Sequence, residues 1–221
     1  MAGGCRTAAS NPTTVPTAGA LAPWGVVASD LGTQRLYRVR VRRSGDDASL
    51  RLVLRLAAEE RFEVAASDAF GRRLWTLTID DGHGRWSDGG SRGACRFDPG
   101  RSLRLAELDW DLPARDLAAA LVGRVPEPPP EAGADRTIDY TDSAGRRWSA
   151  SRDGVGPLRW TLFRAGEPSL TWERSDGGGQ LTARGADLLI RWNEVAREPL
   201  TGEGPRLPAA AEPECDDAEL S

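Results

Sequence analysis

Short segments in which apolar and polar side chains alternate most limit what this chain can fold into. In residues 35–43 (RLYRVRVRR), Tyr37 and Val39 alternate with arginines, and residues 49–56 (SLRLVLRL) place a leucine at every second position. Successive side chains of a strand point to opposite faces, so both segments predict strands with one buried and one solvent-exposed face. The polar turn at 44–47 predicts that the two strands pair as a hairpin.

Residues 62–79 hold two more alternating segments, which meet at a turn. The apolar positions of the two segments are Phe62, Val64, Ala66, Trp75, Leu77 and Ile79. Between them, Asp68-Ala-Phe-Gly71 predicts a turn, and a phenylalanine beside a turn glycine cannot easily reach the face that its neighbours bury. Phe70 is therefore either covered by another element or projects from the surface for a function.

After residue 137 the chain returns to short alternating segments, with turns that include 143–145 and 176–179. Between the two sets of strands, residues 113–122 predict a helix that ends at a glycine cap, Gly123. About ten short strands and one helix are typical of a mainly β protein of the α+β class. A sheet of that many strands curls, so we expect an antiparallel meander that forms an incomplete β-barrel lidded by one or more helices.

Composition divides the chain into three parts. Residues 1–22 have too few large apolar side chains to become ordered, so we expect a flexible tether. Residues 23–199 hold all the predicted strands and form one domain, in which 94–109 are expected to form a short covering element. Residues 200–221 are rich in Pro, Gly, Glu and Asp and predict a disordered acidic tail.

The sequence argues against several functional classes. The net charge is −4 and the arginines are dispersed along strands, which argues against nucleic-acid binding. No apolar run reaches the length of a membrane-spanning helix. There is no GxSxG or HExxH motif, and the one histidine, His83, lies between two glycines in a predicted turn. We therefore expect a protein that is not an enzyme and that uses no metal or cofactor.

Eight tryptophans are more than a thin core requires, and several share a strand face with Leu or Val. A curled sheet with a helix over its mouth encloses an apolar cavity suited to acyl chains. The alternative is a completely filled core. The residues that we expect to line the cavity are Tyr37, Val39, Leu52, Leu54, Phe62, Val64, Trp75, Leu77, Ile79, Leu117, Leu121, Trp148, Trp160 and Trp172.

Cys5 lies in a segment typical of the end of a bacterial lipobox. Small residues precede it in MAGGC, and a Thr-, Ser- and Pro-rich segment, 6–17, follows like a flexible tether. The hydrophobic core of a signal peptide is missing, which we interpret as a truncated leader before a lipidated Cys5. The alternative is a chance cysteine in a disordered N-terminus.

The order of these segments resembles the LolA/LolB lipoprotein carrier family, and within it the outer-membrane lipoprotein receptor LolB, over residues 33–192. Residues 67–71 with the following RRLWTL resemble the family's Pro-Leu-Gly turn between two strands, although Ala69 and Phe70 replace its proline and leucine. LPARDLAAALVGRVP resembles the family's helix, IDYTDSAGRRWSAS its next hairpin, and LTWERSDGGGQLTARGADLLI its closing pair of strands. LolB proteins are themselves lipoproteins, in agreement with a lipidated Cys5.

The resemblance implies a monomer anchored by lipid to the periplasmic face of the bacterial outer membrane. Its cavity would receive the acyl chains of a lipoprotein from a periplasmic carrier and release them into the outer membrane, with Phe70 as the apolar residue that inserts. The alternative is a LolB-like envelope lipoprotein that binds another lipid or amphiphile, or one with a structural role and a filled core. For Cys95 and Cys215 two states stay open in an oxidising periplasm: a disulfide that pins the tail to the sheet, or free thiols.

Overall fold

The computed structural model describes residues 24–90, 93–100, 112–132, 135–154, 156–175, 177–185, 187–209 and 212–215. In this part of the chain there are twelve β-strands and one α-helix. The first six strands are β1 (Thr33–Arg43), β2 (Asp46–Ala58), β3 (Arg61–Ser67), β4 (Arg73–Asp80), β5 (His83–Asp88) and β6 (Ala94–Phe97). The helix is α1 (Leu117–Leu121), and the last six strands are β7 (Thr137–Thr141), β8 (Arg147–Asp153), β9 (Gly156–Arg164), β10 (Glu167–Ser175), β11 (Gly178–Ala183) and β12 (Leu188–Pro199).

All twelve strands form one antiparallel sheet in the order β6-β5-β4-β3-β2-β1-β12-β11-β10-β9-β8-β7. Each half of the chain is a meander, and the two halves join where β1 pairs with β12. The sheet is unclosed, which confirms the predicted incomplete barrel with a helix. It has more strands than we expected, because residues 94–97, at the start of the predicted covering element, form the edge strand β6. Most of that predicted element, from residue 101 on, lies outside the described residues.

The strands bury the face that their alternation predicts, here called the inner face. In β1, Tyr37 and Val39 are buried while Arg38 and Arg40 are exposed on the outer face. The buried residues of both halves form a single hydrophobic core. Removing this apolar surface from water is the main force that holds the curled sheet together.

Aromatic rings form a row across the inner face of the second half of the sheet. The ring centroids of Trp148 and Trp160 are 5.4 Å apart, and those of Trp160 and Trp172 are 6.1 Å apart. A Cβ at Gly179 would lie only 2.7 Å from Trp172 Nε1 and 2.9 Å from the Trp192 ring. Gly179 is therefore required by packing within β11, which begins at Gly178, although we expected the turn to extend to residue 179.

The predicted helix at 113–122 is confirmed as a 3-10 turn, Ala114–Asp116, that continues into α1. Three of the five residues of α1 are alanines, whose small side chains allow the helix to lie close to the sheet. Every residue of α1 is buried. The helix ends as predicted: Gly123 has a φ of +75°, and Arg124 N donates to Ala119 O at 2.8 Å. Glycine adopts this left-handed conformation without the steric cost of a Cβ.

The C-terminal segment packs along β5 and β6, although we expected disorder from residue 200. Cys215 forms a disulfide with Cys95 of β6, and Cys215 N donates to Arg96 O at 2.7 Å. Glu212 pairs with Arg85 of β5 at 2.9 Å. Of the two states left open for Cys95 and Cys215, the structure has the disulfide. The composition of the tail could not show this, because its partners lie on an unpaired sheet edge 120 residues earlier in the chain.

Candidate functional site

The residues predicted to line a cavity all lie on the inner face of the sheet or on α1. Trp75 is half-buried and the others are buried, and most of them pack against one another in the core. Tyr37, Leu121 and Trp172 also border a cleft at one end of the inner face. This cleft is therefore the part of the predicted cavity that is open in the structure.

The cleft has a volume of about 560 Å³ and lies where β1 begins and β10 ends. Its walls come from the last residue of α1 and the three residues that follow it (Leu121–Arg124), from β1 and from the ends of β10 and β12. Small-molecule sites typically occupy about 300–1,000 Å³, so the cleft is large enough for part of an acyl chain. Tyr37, Leu121, Val122 and Trp172 supply an apolar part of the lining, and most of the remaining lining is polar or charged.

A buried ion-pair network forms the charged side of the cleft. Asp30 Oδ1 accepts from Arg35 Nη2 and Asp30 Oδ2 from Arg124 Nε, both at 2.9 Å. Arg35 is only 1% exposed and also contacts Glu194 Oε2 at 3.3 Å. Burial alone would raise the pKa of Asp30, but the hydrogen bonds and charges of Arg35 and Arg124 outweigh it and lower that pKa.

This network connects the helix to the sheet, because Arg124 follows α1 and Arg35 belongs to β1. Trp24 adds a second connection: its Nε1 donates to Ala132 O at 2.9 Å, and Val125 N donates to Trp24 O at 3.0 Å. The sequence analysis missed Arg35. The signal was present, since Arg35 shares the odd-numbered register of Tyr37 and Val39 and must therefore face inward.

Two residues that border the cleft have a buried polar atom without a hydrogen-bond partner among the described residues, the hydroxyl of Tyr37 and the indole Nε1 of Trp172. The Nε1 of Trp160, whose ring stacks on Trp172, also has none. Burial raises the pKa of the Tyr37 hydroxyl, which stays a neutral donor. An unpaired buried donor costs about 1–3 kcal/mol, so the inner face is not optimised for stability alone at this point.

The other end of the helix is held by a second ion pair. Arg146 Nη2 contacts Asp116 Oδ2 at 3.1 Å, and Arg146 Nε contacts Asp142 Oδ2 at 2.5 Å. Burial raises the pKa of Asp116 to about 6, although the charges of Arg146 and Arg115 oppose the shift. The helix is therefore held at both ends, by the pair of Asp116 with Arg146 at its N-terminal end and by the pair of Arg124 with Asp30 after its C-terminal end.

Phe70 projects from its turn and is 97% exposed. The turn is rigid: Asp68 Oδ1 accepts from the backbone amides of Phe70 and Arg72, each at 2.9 Å, and Gly71 has a φ of +83°. The slight desolvation of Asp68 is outweighed by these amide hydrogen bonds and by Arg72, which lower its pKa. A large apolar side chain is thus held in water by a turn that keeps it from folding back.

The predicted turn at 143–145, between β7 and β8, has the same structure as the Phe70 turn. The sequence analysis did not notice that the two turns are alike. Asp142 Oδ1 accepts from Ala144 N at 3.0 Å and from Arg146 N at 2.9 Å, and Gly145 has a φ of +78°. The repeated pattern Asp-x-x-Gly-Arg-Arg, at 68–73 and 142–147, could have revealed it. Ala144 takes the place of Phe70, so the turn itself does not require an aromatic side chain.

The Phe70 turn and the cleft lie at opposite ends of the sheet. β3 runs in the same direction as β1, because each is antiparallel to β2 between them. The cleft lies where β1 begins, whereas the Phe70 turn follows the end of β3. One end of the molecule therefore presents an open cleft and the other an apolar projection.

Within the described residues, no group of His, Cys, Asp and Glu side chains is arranged to hold a metal ion. His83 lies at the start of β5, where its Nδ1 is 3.1 Å from Asp81 O at the tight turn before it. Among the described helices none is long and apolar enough to cross a membrane.

No protein-family model matches the sequence, and no curated protein matches it significantly. Among solved structures, the chain is similar to a domain described as an outer membrane lipoprotein-sorting protein from Vibrio parahaemolyticus, with a TM-score of 0.50 and 9% identity over 77% of this chain and 86% of that one. It is also similar to a LolA superfamily protein from Nitrosomonas europaea, with a TM-score of 0.52 and 9% identity over 81% of this chain and 88% of that one. At such low identity the similarity establishes the fold, which is that of the LolA/LolB type.

Proposed function

We propose that the protein is a LolB-like lipoprotein on the periplasmic face of the bacterial outer membrane. It binds the acyl chains of lipoproteins that a periplasmic carrier delivers, and it helps to insert them into the membrane. The observation that carries this proposal is the cleft bordered by Tyr37, Leu121 and Trp172 at the open end of the inner face. The names of the structurally similar proteins, which refer to lipoprotein sorting and to LolA, support it.

The helix α1 acts as a lid over the inner face. In the described state the core beneath it is packed, so an acyl chain enters at the cleft and displaces α1 to reach the row of tryptophans. The segment that must move is short, because α1 spans only Leu117–Leu121 and ends at a glycine cap. The ion pairs of Asp30 and Asp116 hold this lid closed in the absence of an acyl chain.

Phe70 inserts into the membrane during delivery. An exposed phenyl ring gains free energy when it enters the interfacial region of a bilayer, and the rigid turn presents it without a further ordering cost. Cys5, the predicted lipidation site, lies outside the described residues and stays a prediction. Mass spectrometry of the protein produced in a bacterium from its complete gene tests it: the proposal expects an acylated Cys5, and an unmodified Cys5 contradicts the anchor.

A second candidate function has support from the packing of the core. Most of the predicted lining residues are buried against one another, as in a protein whose interior is filled. The protein would then be an envelope lipoprotein that binds another amphiphile at the cleft alone, or one that has a structural role.

Uptake of a fluorescent fatty acid tests whether the cleft binds acyl chains, which the proposed function requires and a purely structural role does not. We expect the wild-type protein to bind the probe and to transfer energy to it from its tryptophans. Val122→Trp, which places an indole at the cleft, should obstruct this uptake because the larger side chain occupies part of the open volume. Val195→Trp is the matched control, since Val195 is 51% exposed and does not border the cleft.

Uptake by the wild type and by Val195→Trp, but not by Val122→Trp, supports acyl binding at the cleft. If the wild type binds no probe, the acyl-carrier function is wrong and the filled-core alternative stands. If Val122→Trp binds as well as the wild type does, the acyl chain binds elsewhere.

A further inference from the structure

Five arginines gather on the outer face of the three central strands, although they look dispersed in the sequence. We call this set the arginine patch. It comprises Arg38, Arg40 and Arg42 of β1, Arg51 of β2 and Arg191 of β12, all of which are exposed. A depression of about 410 Å³ lies among Arg40, Arg42 and Arg191.

Sheet pairing sets like charges directly opposite each other in this patch. Arg38 lies opposite Arg51, and Arg40 lies opposite Arg191. Directly opposed like charges destabilise a sheet. Among the described residues, Arg38, Arg40, Arg42 and Arg51 form no ion pair. Asp47, opposite Arg42, is the one carboxylate that borders the depression.

Two arginines on the outer face of the second half of the sheet have carboxylate partners. On the strands β9 to β11, Arg159 pairs with Glu173 at 3.3 Å, and Arg184, which follows β11, pairs with Glu167 at 3.5 Å. The arginine patch therefore differs from this part of the outer face in that four of its five arginines, Arg38, Arg40, Arg42 and Arg51, have no carboxylate partner among the described residues. A surface that retains unpaired like charges against its own stability is suited to an anionic partner.

The arginine patch adjoins the Phe70 turn. Arg51 lies opposite Ser67, and the turn begins with the next residue, Asp68. Phe70 and the patch thus lie side by side at the end of the sheet away from the cleft. An apolar side chain beside a basic surface matches the interface of an anionic bilayer, where headgroup phosphates lie next to the hydrocarbon.

We propose that the arginine patch is a docking surface for the anionic phospholipid headgroups of a membrane. Guanidinium groups contact phosphate oxygens in a planar, bidentate geometry, and the depression among Arg40, Arg42 and Arg191 accommodates a headgroup. Docking through this patch brings Phe70 to the bilayer and leaves the cleft facing away from it. The proposal rests on the patch itself and does not require that the cleft bind acyl chains.

Co-sedimentation with vesicles tests the proposal, with phosphatidylcholine vesicles that contain or lack phosphatidylglycerol. The patch variant Arg38→Gln/Arg51→Gln is compared with the control Arg159→Gln/Arg184→Gln, which removes two charges from the same face. At low salt the patch variant should bind anionic vesicles about thirtyfold more weakly than the wild type, because each arginine near an anionic surface contributes roughly a factor of five. The control variant should bind like the wild type.

Thermal unfolding of both variants separates docking from folding. The patch variant should unfold at the same temperature as the wild type or higher, because the repulsion between Arg38 and Arg51 is removed. Its uptake of the fatty acid probe should be unchanged. Weaker binding that accompanies equal or greater stability supports docking by the patch.

Equal losses of binding to anionic vesicles in the patch and control variants would overturn the proposal, because the total charge of the protein would then explain the binding. Equal binding of the wild type to neutral and anionic vesicles would overturn it as well. If the wild type takes up no fatty acid probe but still requires Arg38 and Arg51 to bind anionic vesicles, the proposed acyl transfer fails and the docking surface stands.

Discussion

At the scale of single residues, the two Asp-x-x-Gly-Arg-Arg turns allow the role of Phe70 to be separated from that of its turn. The aspartate, the glycine and the arginine make the same hydrogen bonds in both turns. The residue before the glycine is free to vary, and it is Phe70 in one turn and Ala144 in the other. The exposed Phe70 side chain contributes little packing to the fold, and the proposed function assigns it a contact with the membrane.

Phe70→Glu should leave the free energy of unfolding within about 0.5 kcal/mol of the wild-type value, because the side chain is solvent-exposed. It should strongly impair delivery of an acylated, fluorescent lipopeptide from the protein to vesicles, because a carboxylate at this position opposes entry into the bilayer. Delivery is measured by the loss of quenching as the lipopeptide leaves the protein.

Ala144→Glu is the matched control, since Ala144 occupies the same place in the same kind of turn and is also exposed. It should deliver at the wild-type rate. Undiminished delivery by Phe70→Glu would remove Phe70 from the mechanism. An equal loss in Ala144→Glu would mean that any added negative charge has this effect.

At the scale of the elements, the contacts that hold α1 in place are not only apolar. The helix α1 is buried, yet both of its ends are held by arginine–carboxylate pairs rather than by apolar contacts alone. Ion pairs of this kind can open and re-form in water, whereas an apolar contact would have to be exposed. The pair between Asp30 and Arg124 lies at the end of the proposed lid that borders the cleft.

Arg124→Gln should loosen the lid. Because Asp30 keeps its pair with Arg35, we expect a loss of about 2 kcal/mol in stability rather than unfolding. Hydrogen exchange followed by mass spectrometry should show faster exchange of the amides at 117–125, and the fatty acid probe should enter faster. Both effects follow from a higher population of the open lid.

Arg197→Gln serves as the control for this prediction. Arg197 also borders the cleft, but it pairs with Glu194 of its own strand and does not contact α1. Its removal should leave the exchange of 117–125 unchanged. Slow exchange of α1 in Arg124→Gln would show that the ion pair does not control the lid.

At the scale of the whole molecule, local patterns predicted much of the fold. Alternation in β1 to β4 identified the buried faces, and the helix was placed correctly up to its glycine cap at Gly123. For Phe70 the sequence left two alternatives open, covered by another element or projecting, and in the structure it projects. All of these features depend on side chains within a few residues of one another, where strand and helix periods are decisive.

Features that depend on distant pairing could not be predicted. The arginine patch exists because β1 pairs with β12, which brings Arg40 to Arg191 across the full length of the domain. The described part of the tail is joined to β6 by the disulfide of Cys215 with Cys95, a contact that its own composition does not reveal. The polar side of the cleft was missed because Asp30 and Arg124 are 94 residues apart.

Photo-crosslinking with a diazirine-labelled fatty acid tests most directly the central claim that an acyl chain binds at the cleft on the inner face. After irradiation of the full-length protein, the labelled peptides are identified by mass spectrometry. We predict labelling of the peptides that contain Leu121 and Trp172, and loss of both labels in Val122→Trp. Labels confined to the outer face or to the Phe70 turn, or no label at all, would contradict the claim.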